Sequence, residues 1–241
     1  MKWIILSTVL VSILVPALSA QELSIGFPAE LPPWTIQKKD AGITVEIVRK
    51  SLKHKGYTLK TRFFSLKQLN QNIPHGMDAN AQVESPALEG YYSDEVSQFQ
   101  TSLISLKPNR LTIETINDLK DKHIVAFQNA SFLFSNAFQK MTQSNSHYRE
   151  IANQEYQVVD LYNGKAAVIL VDRQIFLYFR GITTLTNTSM PVTFHEVEGL
   201  TEKSPFFVVF RDEKLRNEFN EGLEYLKKNG EYDNIFYKYV K

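Results

Sequence analysis

The sequence predicts an α/β protein arranged as two compact lobes, and three observations carry that reading. Strand-like alternation and helical spacing take turns along the whole chain, the pattern of largely parallel sheets flanked by helices. The 241 residues are long for one small core and suit two lobes of about 100 residues each. After the first stretch of chain, no segment approaches the ~18 apolar residues of a membrane span, so the mature chain is expected to be soluble.

Leu23–Phe27 reads as a strand, and Phe27–Trp34 as a proline-stiffened loop that can be neither helix nor central strand. Ile43, Ile47, Val48 and Leu52 share one face of a helix running to about Lys55, which Gly56 is placed to end. Tyr57–Phe63 alternates as a strand. A short helix with Leu66, Leu69 and Ile73 follows, then a strand near Asp78–Val83 and another over Gln98–Lys107. Thr115 and Asp118 have capping-box spacing. Ile124–Phe127 is a buried strand, and Ser131–Met141 is one helix with Phe134, Phe138 and Met141 inward. Ala166–Val171 is a strongly apolar strand ending at Asp172, with a helix from there to Arg180. Val192–Val197 and Phe206–Phe210 are the last strands. Glu213–Asn229 and Tyr232–Val240 are helices around Gly230.

Bulk properties remove several function classes. Lys+Arg is 27 against Asp+Glu 26, a net charge of +1. A nucleic-acid partner would call for a basic surplus or stripe, and none is present. The absence of cysteine excludes disulfides, thiolate chemistry and Cys-based zinc sites. The five histidines are scattered without His-Glu-x-x-His spacing, and there is no Gly-x-Ser-x-Gly elbow or phosphate loop. Neither a cofactor nor a metal is expected. Lys2, the apolar run Trp3–Leu18 and small residues at Ala17, Ser19 and Ala20 have the layout of a cleaved signal peptide. Residues 1–20 are therefore assigned to export, and the periplasm is the expected compartment.

Four motifs occur in order. Pro33-Trp34 is followed by Gly42-Ile43-Thr-Val-Glu-Ile47, and Asn117–Lys122 by Ile124-Val-Ala-Phe127. Asn163–Asp172 comes next, and Leu226–Tyr232 closes the series. This order resembles the family 3 periplasmic solute-binding proteins, which include the polar amino-acid receptors of ABC importers. The similarity runs over nearly all of the mature chain. It implies a type II periplasmic-binding-protein-like fold: two α/β lobes, mostly parallel sheets and two crossing hinge segments. Lobe one would comprise 21–107 plus 204–241, lobe two 108–203, with crossings near 106–110 and 198–204. The implied function is binding of a small polar solute, an amino acid or related metabolite, by a monomer that hands it to an ABC permease. Two alternatives remain open: a soluble sensor acting on a membrane receptor, and a dehydratase-type enzyme on the same fold.

The resemblance also nominates ligand contacts. Trp34 stands where the family sets an aromatic against the ligand; the plainer alternative is a Trp plugging the lobe-one core. Asp172 ends a strand at the edge where α/β sheets gather ligands, and the matching Asp in amino-acid-binding relatives takes the ammonium group. It also suits a helix N-cap. Asn129, Ala130 and Ser131 bring free backbone N–H groups to a helix start, a setting for an anion or for an ordinary cap. Gln82, Glu84 and Ser85 follow a lobe-one strand and face either the cleft or solvent, and Tyr91 lines a pocket or packs in a loop. Glu30 and Glu84 are the carboxylates a dehydratase would need. One departure stands out. The family's carboxylate-binding Arg is missing: Ala87, Leu88 and Glu89 occupy its stretch.

Overall fold

The structure is a computed structural model that describes residues 21–84 and 88–240. The expected signal segment, and Ser85 and Ala87 among the nominated positions, lie outside the described residues. β1 (Glu22–Pro28) buries Leu23, Ile25 and Phe27. The proline loop is a small hairpin, with β2 (Glu30–Leu31) pairing β3 (Thr35–Ile36) around a cis Pro32–Pro33 peptide. α1 (Ile43–His54) buries the predicted Ile43, Ile47, Val48 and Leu52. Then come β4 (Thr58–Phe64) and the capped turn α2 (Leu66–Leu69). β5 (Ala79–Val83), β6 (Tyr91–Tyr92) and the long β7 (Ser97–Leu106) follow. The Asp118 carboxylate accepts from the amide and hydroxyl of Thr115, as their spacing predicts.

In the second half the order is β8 (Ile124–Phe127), α3 (Ala130–Leu133), α4 (Asn136–Ser144) and β9 (Tyr148–Ile151). The single helix expected over Ser131–Met141 is two. Ser135 turns extended, with ψ 156°, and its hydroxyl accepts from the Phe138 amide to restart the helix. β9 has no counterpart in the sequence reading. α5 (Glu155–Tyr162), β10 (Val168–Asp172), α6 (Arg173–Ile182) and β11 (Val192–His195) complete this half. β12 (Lys203–Phe210) returns to the first, where α7 (Glu213–Lys228) and α8 (Glu231–Tyr239) end the chain. No helix among the described residues is long and apolar enough to cross a membrane.

The strands run in the order β4-β1-β5-β12-β7-β10-β8-β9, with β6 on β12 and β11 on β7. Neighbours are parallel within β4-β1-β5 and within β10-β8-β9. They are antiparallel at β12 and β7, which join the two groups. Ser97–Gln100 of β7 pairs Lys203–Phe206 of β12, whereas Thr101–Ile104 pairs β10. β12 changes partner in the same way, because Phe207–Phe210 pairs β5. The chain therefore passes between the two groups on two strands that lie side by side.

The largest buried cluster continues across that junction, from Ile25, Phe27 and Trp34 to Ile104, Val171 and Phe176. A second cluster around Leu103, Ile124, Phe138 and Leu170 belongs to the later half alone. α1 and α7 pack so closely that a Cβ on Gly222 would lie 2.1 Å from the Ser51 carbonyl oxygen. Gly181, in α6, faces open space. Gly222→Ala should therefore cost about 1–3 kcal/mol through forced separation of the helices. Gly181→Ala should gain about 0.5–1 kcal/mol by removing a helical glycine. Denaturant melts of the two variants check both signs, and equal responses would refute the close crossing.

Candidate ligand-binding site

Gly42 sets the position of Trp34. The chain passes so close over the Trp34 peptide that a Cβ at Gly42 would sit 2.3 Å from its carbonyl oxygen, and φ there is +130°. Only glycine fits this crossing. The start of α1 then binds the loop, with the Thr44 amide donating to Trp34 O at 3.1 Å and the Ile43 amide to Pro33 O at 2.8 Å. The indole, fully buried, packs against Phe99 at 5.1 Å and edge-on against Phe236 at 6.0 Å. Phe99 in turn meets Phe206 at 4.4 Å. These two rings belong to the paired stretches of β7 and β12, so Trp34 is seated on the crossing itself.

Asp172 closes the junction from the other half. It ends β10 and caps α6, its Oδ1 accepting from the amides of Gln174 and Ile175 at 3.0 Å each. The same oxygen accepts from the Trp34 indole Nε1 at 3.2 Å, and Oδ2 accepts from the Gln100 amide at 2.9 Å. The two residues nominated as chief ligand contacts therefore touch each other. Burial pushes the Asp172 carboxyl up to about 6, and the four donors only partly offset it. With Trp34 at 0% and Asp172 at 4% exposure, a solute reaches this carboxylate only when the two residues part.

Gln82 is tied to the Trp34 loop through Thr44, whose amide donates to Trp34 O. It is buried at the end of β5 with φ +64°, a region non-glycine residues seldom occupy. Its Oε1 accepts from the Thr44 hydroxyl at 2.6 Å, while its Nε2 has no partner. The buried hydroxyls of Thr35, next to Trp34, and of Ser97, two residues before Phe99, are also unpartnered. Glu30, Glu84 and Tyr91 are exposed. Among the described residues no hydrogen bond or ring contact ties them to Trp34 or Asp172. Burial first, then the charges of Glu30 and Glu155, raise the Tyr178 hydroxyl on α6, which places Glu30 within electrostatic reach of the second half.

The Asn129–Ser131 segment lies on the same edge as Asp172, because β10 and β8 run parallel with Leu170 opposite Ala126. Asn129 adopts φ +67°, Ala130 is buried, and the amides of Asn129 and Ser131 point to one place. A carboxylate is there, and it is the chain's own. Glu150 of β9 accepts from Asn129 N at 2.6 Å and from Ser131 N at 2.8 Å, and from the Tyr148 hydroxyl at 2.8 Å. Burial raises the Glu150 carboxyl, but these donors outweigh it and hold the group below the usual carboxylate range. The sequence reading missed Glu150 because the four residues of β9 alternate too weakly to announce a strand. It missed Gln100 because the contribution is a backbone N–H.

No protein-family model matches this sequence, and no curated protein matches it either. Solved structures do match. An ancestral cationic amino acid solute-binding protein superposes with a TM-score of 0.69 at 18% identity, over 91% of this chain and 96% of its own. The ligand-binding core of GluR0, in complex with L-glutamate, gives 0.66 at 16% identity, over 92% and 100%. Substrate-binding domain 2 of GlnP from Lactococcus lactis, in an open conformation, gives 0.65 at 20%, over 91% and 95%. At such identities the likeness speaks to architecture, and it agrees with the fold the sequence motifs imply. The chain has the two-lobed, periplasmic-binding-protein-like α/β fold of these solute- and ligand-binding proteins.

Proposed function

We propose that this protein binds a small polar solute between its two lobes and works by opening and closing them, in the periplasm after export. The Trp34–Asp172 contact carries the proposal. It joins a loop of the first half to a strand end of the second, directly over the two strands that connect them. On this reading lobe one is 21–100 plus 203–241 and lobe two is 101–202. The crossings lie where β7 and β12 change partners. A hinge there exposes Asp172, unpartnered Gln82 Nε2 and the aromatic rings together. A solute that touches both lobes then favours the closed state by its extra contacts there.

Delivery to an ABC permease by a monomer is the use we favour for such a cycle, since the solved neighbours include a substrate-binding protein of an amino acid ABC transporter. Catalysis is disfavoured by the exposure of Glu30 and Glu84, which share no hydrogen bond among the described residues.

A thermal-shift screen over amines, amino acids, organic acids and short oligosaccharides should yield one class that raises the melting temperature by mass action. The same compound should reduce the radius of gyration in solution scattering. Asp172→Ala should weaken its binding tenfold or more. Affinities unchanged in both Asp172→Ala and Trp34→Ala would remove the site from this junction. Turnover of a prephenate-like acid would favour the enzyme.

The raised Asp172 carboxyl gives an independent check on its burial. Its folded value, about 6, exceeds the unfolded 3.8, so the folded state holds the proton more tightly between these values. Stability should therefore rise as pH falls from about 6 towards 4, by about 1–3 kcal/mol from this group. Asp172→Asn should lack that gain. Parallel denaturant titrations of the two proteins at pH 7 and pH 4.5 read the difference. Curves that track each other would mean that Asp172 is solvated.

A further inference from the structure

Two places on the carboxyl edge of the second sheet are suited to hold a charged solute, and the chain treats them differently. At Asn129–Ser131 both converging amides are taken by Glu150, itself fixed by the Tyr148 hydroxyl. A solute carboxylate brought to this loop would find no free N–H from this pair and would face an ionised carboxylate. At Asp172, by contrast, the carboxylate has no cationic partner among the described residues. Its donors are three backbone amides and one indole N–H. The indole N–H is the exchangeable one, because the amides are fixed in the backbone of α6 and of the β7 crossing while Trp34 arrives on a loop from the other half.

Two cations next to these carboxylates in the chain are committed elsewhere. Arg173, directly after Asp172, lays its guanidinium over the Phe194 ring at 4.1 Å. Arg149, directly before Glu150, pairs with Asp160. The buried polar atoms without partners at Thr35 (Oγ1), Gln82 (Nε2) and Ser97 (Oγ) carry no charge. The Ala87–Glu89 stretch supplies no arginine. The groups named here thus offer a buried anion for a cationic group and neutral donors for hydroxyl or amide groups, and none of them balances a carboxylate.

We infer that the solute is an organic amine without a carboxylate, selected by Asp172 and by Glu150 acting as a built-in anion that fills the amide pair. The inference rests on the solute-binding reading above and narrows it. Its cation displaces the Trp34 N–H from Asp172, and the indole is then free to cover the cation with its face. Charge-assisted hydrogen bonds of this kind each account for about 10- to 100-fold in affinity.

The test uses matched pairs that differ only in the carboxylate: agmatine and arginine, cadaverine and lysine, tyramine and tyrosine, histamine and histidine. Calorimetric titration of the wild-type protein should show at least one amine binding tenfold or more tighter than its amino acid. In Glu150→Gln, which keeps an acceptor for the amides and removes the charge, that preference should shrink by tenfold or more. An amino acid that binds the wild type as tightly as its amine overturns the inference, with or without a folded variant. So does an undiminished preference in Glu150→Gln, or a solute found only among acids or sugars. In these cases solute binding itself stands. If nothing in the wider screen binds, the proposed function fails as well.

Discussion

The organisation of this molecule depends on one buried carboxylate. Asp172 is removed from water at the point where β10 becomes α6, and an ionised carboxyl in such a place is costly unless donors surround it. Helix geometry supplies two of them, the amides of Gln174 and Ile175. The other two require tertiary structure. Gln100 presents its amide because β7 changes partners beside it, so that its N–H meets Asp172. Trp34 presents its indole because Gly42 lets the chain pass directly over its peptide. The cap, the strand crossing and the hairpin loop thus converge on two oxygen atoms.

The aromatic surroundings follow from the same point. An indole whose N–H is directed at a buried acceptor must bury its rings too; Phe99 and Phe236 receive them, backed by Phe206 and Tyr232. Phe99 and Phe206 come from the paired stretches of β7 and β12, while Phe236 and Tyr232 come from α8. The last helix of the chain is thereby tied to the crossing, and the Tyr232 hydroxyl donates to Val96 O at 2.8 Å just before β7 begins. The largest core cluster extends through the junction for this reason. Its continuity is made by side chains seated on the two connecting strands.

Much of this was legible in the sequence, for identifiable reasons. The helix faces of α1 and α7 and the apolar strand before Asp172 are long or strongly periodic, and patterns of that kind survive tertiary context. The Asp172 cap was legible because a carboxyl between a strand and a helix has few other roles. What stayed hidden was local weakness or remote pairing. Ser135 splits a helix that hydrophobic spacing reads as continuous, since Phe134, Phe138 and Met141 keep their period across the break. β9 is four residues with mixed exposure. Trp34 and Asp172 were each nominated, but their contact spans 138 positions, and no local pattern reports a partner at that distance. Glu150 was invisible as an internal anion because its role exists only once β9 lies beside β8 and presents it to Asn129 and Ser131.

Both polar positions being satisfied from within changes what binding means here. On the solute-binding reading proposed above, a solute exchanges with a side chain already in place, so its affinity is a difference between two sets of contacts. Trp34 sets the size of that difference. Exposing a buried indole of about 150–250 Å² costs about 4–6 kcal/mol at 25 cal/mol per Å². A micromolar complex is worth about 8 kcal/mol in total. A solute that expelled Trp34 into water would therefore need about 12–14 kcal/mol of gross contacts to reach micromolar affinity. One that takes only the N–H acceptor, and leaves the indole packed against both itself and Phe99, avoids nearly all of that cost. The geometry thus favours a ligand thin enough to enter between Nε1 and Oδ1 and compatible with the ring face, over a bulky one that needs the whole indole volume.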